Sequence, residues 1–198
     1  MGTAITVIII ILVIVVILAL IGLSSYNGFV KSRNLIQESW RQIDVELNRR
    51  YELIPNLVDV VKGYMRHERE TLDAVIKARN SAMAAEQKVA ANPSDPAAVG
   101  ELNRAEAQLG GVLGRLIALS EAYPDLKANQ NFLSLQEELT ATEGRVAYAR
   151  QFYNDSVLGY NTKIQSFPAV ILAGAMKFTE REYFEAEEGA REAPRVQF

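Results

Sequence analysis

Residues 49–70 read RRYELIPNLVDVVKGYMRHERE, which gathers most of the groups that could do chemistry: adjacent Arg49 and Arg50, Tyr64, the only histidine His67, and Glu68 beside it. A zinc hydrolase of the HExxH type needs a second histidine one helical turn on, and Thr71 occupies that position. A di-iron bundle site needs two Glu-x-x-His pairs, so one histidine excludes it. There is no cysteine nucleophile, and no GxSxG elbow accompanies a serine. GGVLG at 110–114 lacks the lysine of a phosphate-binding loop and sits inside a helical pattern. These residues therefore point to no catalytic group, no metal ligand set and no cofactor. His67 reads as an ordinary helix or surface histidine.

Other polar residues fall on apolar seams. Arg50, Glu68 and Arg79 lie on the seams of their helices and Arg150 beside another, and a charge there is costly unless paired. Such groups form inter-helix ion pairs that fix register, or long stems that cover apolar surface while their heads reach water. The dipeptide Tyr-Asn occurs at Tyr26-Asn27, Tyr153-Asn154 and Tyr160-Asn161, each with an apolar residue four positions after the tyrosine. Buried phenols and amides need partners, so these are candidate inter-helix links; composition alone could also produce them.

The elements that must position these residues start with an uncharged head. No charge precedes Lys31, and residues 4–23 (AITVIIIILVIVVILALIGL) are apolar apart from Thr6 and Gly22. Twenty helical residues rise about 30 Å, the thickness of a bilayer core. The run is too long for a signal peptide, Met-Gly-Thr offers no basic n-region, and the absence of cysteine excludes a lipoprotein anchor. Lys31, Arg33 and Arg41 against Glu38 just after the run place the body in the cytoplasm and the short N-terminus outside.

Beyond the head, apolar residues recur at helical spacing. Phe29, Ile36, Trp40, Ile43 and Leu47 form a first seam, expected to continue out of the membrane as a stalk. Pro55 is expected to kink or restart that helix, with a second seam from Leu57 to Glu86. Asn92-Pro93-Ser94-Asp95-Pro96 is a loop. Val99–Leu116 and Phe132–Ile164 carry the third and fourth seams. The fold class is all-α: a transmembrane helix followed by an antiparallel four-helix bundle of long helices. The divisions are 1–25 (tail and span), 26–168 (bundle) and 169–198, an acidic segment with a short helix and tail. A net charge of −3 with mixed signs and no basic stripe argues against nucleic acid.

On these residues the chain resembles the LemA family of bacterial single-pass membrane proteins. The motifs are WRQIDVELNRRYELIPNLVDVVKGYMRHERE (40–70, with Trp40, Pro55 and Asn56), LKANQNF (126–132), the Tyr-Asn pairs and the terminal PRVQF. The resemblance implies one plasma (inner) membrane helix and a helical-bundle body, and brings no reaction or ligand with it. Two departures stand out: Gly144 lies within a helix where a side chain is usual, and Lys177 precedes Phe178 where the family tends to place glycine. The expected function is a non-enzymatic, membrane-anchored scaffold or adaptor. It would self-associate or hold a membrane protein such as an envelope protease or transporter close to the bilayer. The alternative is a ligand-binding or enzymatic bundle using Arg50, Tyr64, Glu68, Arg79 and Arg150.

Overall fold

The computed structural model describes residues 2–93 and 95–184; the end of the acidic segment, including PRVQF, lies outside the described residues. Among these residues there are helices and no strand. The elements are α1 (Gly2–Tyr64), α2 (Arg69–Ala91), α3 (Pro96–Ser120), the single turn α4 (Pro124–Lys127), α5 (Gln130–Gln165) and α6 (Ala169–Ala175). An extended segment follows α6 as far as Phe184.

The chain separates into two compact units. One is the chain up to Glu38 with Asp155–Arg181; the other is Ser39–Asn154 with the chain from Glu182 on. In the first unit the apolar head is exposed along its length, and α1 is long and apolar enough to cross a membrane. Phe29, Ile36, Val157, Tyr160 and Ile164 are buried below it. In the second, four helical segments bury Ile43, Leu47, Leu57, Val75, Leu102, Leu109 and Phe132 at their seams. This arrangement is compatible with the four-helix bundle expected from the pattern.

The helix ends follow from their residues. Asp95 caps α3 by accepting from the Ala97 N–H at 2.9 Å, and Pro96 takes the first position, where no N–H is missed. Asn129 caps α5 by accepting from the Phe132 N–H at 3.0 Å. The same asparagine donates to the Tyr64 hydroxyl at 2.9 Å.

Of the two alternatives expected at Pro55, the restart is overturned. Pro55 neither ends nor restarts a helix, because α1 runs through it to Tyr64 and residues 57–64 belong to α1 rather than to the second helix. A proline inside a helix removes the N–H that would bond the carbonyl four residues back, here Tyr51. Arg79 on α2 replaces that donor, its Nε reaching the Tyr51 carbonyl at 2.7 Å. The joint lies instead in the turn Met65–Glu68, where Met65 is buried and Arg66 and His67 are exposed.

Candidate functional site

The polar centre of the second unit is built on Arg50 and Tyr51. Glu106 of α3 is buried and accepts from the Tyr51 hydroxyl at 2.5 Å, from Arg50 Nη1 at 3.0 Å and from Arg150 Nη2 at 3.3 Å. Arg50, itself buried, also pairs with Glu143 of α5 through Nη2 at 2.9 Å. With Arg79 on the Tyr51 carbonyl, this one dipeptide of α1 is tied to α2, α3 and α5. Two guanidiniums balance two carboxylates, which is what makes burial of the charges tolerable.

This hub is poorly suited to proton transfer. Glu106 already accepts three hydrogen bonds from phenol and guanidinium. Burial, then the negative charge of Glu106, pushes the Tyr51 phenol far above its ordinary range. Nearby, burial and a hydrogen bond with Asp44 push the Glu86 carboxyl up to about 7.

Beside the hub an open groove of about 920 Å³ lies between α3 and α5. Gly110, Gly111 and Gly114 line it from α3, Leu139 and Thr140 from α5, and the hub residues Arg50, Glu143 and Arg150 line it as well. Nothing lies within 4 Å of a Cβ built on Gly111 or Gly114, so the glycine wall opens onto free space. Arg150 has a buried Nε with no hydrogen-bond partner, and its guanidinium rests 5.4 Å from the Phe184 ring centre.

The extended segment is held by the two later Tyr-Asn pairs. In the second unit Asn154 donates to the Phe184 carbonyl at 3.0 Å and accepts from its N–H at 2.8 Å, while the Tyr153 hydroxyl donates to the Glu182 carbonyl at 3.4 Å. Phe184 is buried in an aromatic seat, stacked on Trp40 with centres 5.9 Å apart and edge-on to Tyr153 at 5.4 Å. In the first unit Asn161 donates to the Arg181 carbonyl and accepts from its N–H, both at 2.9 Å, and the Tyr160 hydroxyl donates to the Thr179 carbonyl at 2.9 Å.

The other predicted residues are placed as follows. Tyr26 packs edge-on against Phe178 with centres 6.1 Å apart, and Asn27 beside it is exposed, so the first Tyr-Asn pair is not a clasp of this kind. His67 and Asn56 are exposed. Glu68 is half-buried and accepts from the Tyr123 hydroxyl at 3.4 Å. Of the polar seam residues, Arg50 and Arg150 meet at Glu106; Arg79 acts on a backbone carbonyl, and Glu68 and Tyr64 belong to the turn end. Sequence reasoning missed Glu106 and Phe184. Glu106 falls four residues after Leu102 and three before Leu109, a seam position that marked it as buried; Phe184 carried no such signal.

Comparison with known proteins places the chain in a family. A model of the LemA family matches residues 39–198. Protein LemA of Metamycoplasma hominis is 26% identical over 162 residues, 82% of this chain and 69% of that protein. Magnetosome protein MamQ 2 of Paramagnetospirillum magneticum is 26% identical over 187 residues, covering 87% of this chain and 68% of its own. Magnetosome protein MamQ of Magnetospirillum gryphiswaldense is 27% identical over 177 residues, covering 82% and 65%. The chain thus spans about two thirds of the length of these relatives.

Proposed function

The chain belongs to the LemA family, and from that premise we propose that it is a non-enzymatic, membrane-anchored scaffold or adaptor. It sits in a bacterial plasma membrane through α1, with its body in the cytoplasm, and either self-associates or holds another membrane protein near the bilayer. The observation that carries this reading is the contrast between hub and groove. Glu106 at the centre of the hub spends its accepting capacity on Tyr51, Arg50 and Arg150, whereas the glycine wall of the α3–α5 groove is open and suits close approach of another helix. The names borne by the family and its magnetosome relatives are not names of enzymes, which points the same way.

Photo-crosslinking in native membranes tests it. The wild type is expected to yield a self-crosslinked ladder or a stoichiometric second protein. Gly111→Trp, which fills the groove from its exposed α3 wall, should abolish that species while leaving the melting temperature within a few degrees. A complex indifferent to Gly111→Trp would sink the groove assignment. Turnover of a small molecule by the purified chain, lost in Arg150→Met, would favour the ligand-binding alternative, for which the unpartnered Arg150 Nε beside the groove is the supporting feature.

A further inference from the structure

Between Lys163 and Lys177 the chain carries thirteen consecutive residues without a charge, IQSFPAVILAGAM. They contain the end of α5 and all of α6. In a water-soluble surface such a stretch would be folded inward, yet only Ile164 and Ala173 are buried. Phe167 is 82% exposed and Ile171 65%, and Val170 and Met176 are exposed as well. Four large apolar side chains clustered on one short loop-helix form the kind of patch that marks a contact surface.

The first unit fixes where along α1 this patch lies. Lys163 Nζ donates to the Gly28 carbonyl at 3.3 Å and to Ser32 Oγ at 2.8 Å. Phe178 packs on Phe29 with ring centres 5.0 Å apart and lies 5.9 Å from the Arg33 guanidinium, and the next residue, Thr179, accepts from Tyr160. Tyr160 is thus level with about Arg33 and Lys163 with Gly28–Ser32, so the end of α5 runs antiparallel to α1, toward the apolar run. Continuing that register for one to two turns brings Phe167 and α6 level with roughly residues 21–28, where α1 leaves the apolar run, at about 1.5 Å per residue. Phe178 then brings the chain back beside Tyr26.

We propose that Phe167 and α6 form a second membrane contact, a monotopic apolar finger seated in the headgroup–acyl boundary of the same leaflet from which α1 emerges. The proposal rests on the reading of α1 as a membrane anchor. The chemistry fits that depth: an apolar face inserts about 5–10 Å at such a boundary, the exposed Tyr26 ring stands where aromatic belts form, and Lys163 and Lys177 bracket the uncharged stretch as cations bracket interfacial segments. Ala173, the buried side of α6, keeps the finger docked to its own unit while the opposite side faces lipid.

The cysteine-free chain permits a direct test in the full-length protein. Single cysteines at Ile171, at Val13 within the span and at Gln87, an exposed residue of α2, are labelled with an environment-sensitive fluorophore. The labelled proteins are reconstituted in phosphatidylcholine–phosphatidylglycerol vesicles containing nitroxide lipids of known depth. The label at Ile171 should be quenched by the shallow nitroxide at least twofold more than at Gln87 and be protected from aqueous iodide. Quenching of Ile171 by iodide but not by nitroxide overturns the finger. Protection from both overturns it in favour of a covering protein, such as a second copy. If Val13 is itself unquenched by deep nitroxide, the anchor reading fails and takes the finger with it; Val13 quenched with Ile171 unquenched defeats the finger alone. Phe167→Cys repeats the measurement should the Ile171 variant fold poorly.

Discussion

The hub around Glu106 and the clasps around Asn154 and Asn161 solve the same problem, the burial of polar groups, in opposite ways. The hub sets charged side chain against charged side chain, so each member depends on the identity of every other. The clasps set a neutral amide against a peptide group, so the segment they hold is recognised by a feature that every residue except proline possesses. A hub is therefore intolerant at all of its positions. A clasp is intolerant on one side only.

The sharpest way to break the comparison is at Glu106. Glu106→Ala leaves two guanidiniums and a phenol without their acceptor and should cost about 3–5 kcal/mol in urea unfolding of the body. Replacing the whole set at once (Arg50→Met, Glu106→Leu, Arg150→Met) should recover most of that loss, since apolar residues of similar volume carry no desolvation penalty. Next, Asn161→Leu removes two hydrogen bonds to part-buried backbone and should cost about 2 kcal/mol. Glu182→Ala, an exposed side chain on the held segment, should change stability by less than about 0.5 kcal/mol. Equal losses from these two variants would end the distinction.

Protonation separates the regions further: burial raises the Tyr160 phenol of one clasp above its ordinary range, whereas near the hub burial brings the Glu86 carboxyl up to about 7. Glu86 holds its proton more tightly folded than unfolded. Its stabilising effect is therefore complete below about 4.5 and declines as pH rises through about 7. That decline should amount to about 2 kcal/mol in the wild type and vanish in Glu86→Gln, as read from unfolding midpoints across the range.

Arg79 is intermediate in kind, a charged side chain serving a backbone carbonyl. Arg79→Met should cost about 1–2 kcal/mol, and much less in a Pro55→Ala background, where the restored N–H bonds Tyr51 itself. A small effect of opposite sign is expected at the entry to the held segment. The α6 terminus has the hydrogen bonds of a Schellman motif, Phe178 N–H to the Ala173 carbonyl and Lys177 N–H to that of Gly174, with Lys177 at φ 60° where glycine is favoured. Lys177→Gly should raise stability by about 0.5–1 kcal/mol in a thermal melt.

Helical periodicity made the helices legible, because Phe29, Ile36, Trp40, Ile43 and Leu47 stand on one face whatever they pack against. The seam positions of Arg50 and Arg150 were legible too, but their shared acceptor was not, since Glu106 lies 56 residues beyond Arg50. Pro55 misled for the same reason: its cost in a helix depends on whether some distant donor serves Tyr51, and that donor is 28 residues on in sequence. Phe184 was invisible because an extended segment has no periodicity of its own, and its site is written in the Tyr-Asn spacing of another element. Lys177 was noticed only as a departure from the family's glycine; the left-handed backbone explains why glycine belongs there.

The backbone grip on the tail also bears on how such a chain can diverge. Residues 179, 180, 182 and 183 are exposed, and the bonds their neighbourhood makes pass through peptide groups rather than through their side chains. A lineage can rewrite those positions, adding charge, a modification site or an address for a new associate, while aromatic rings at 178 and 184 and asparagines on α5 keep the segment seated. Novelty in a paralogue would then accumulate in the tail first, with the helices beneath it held constant.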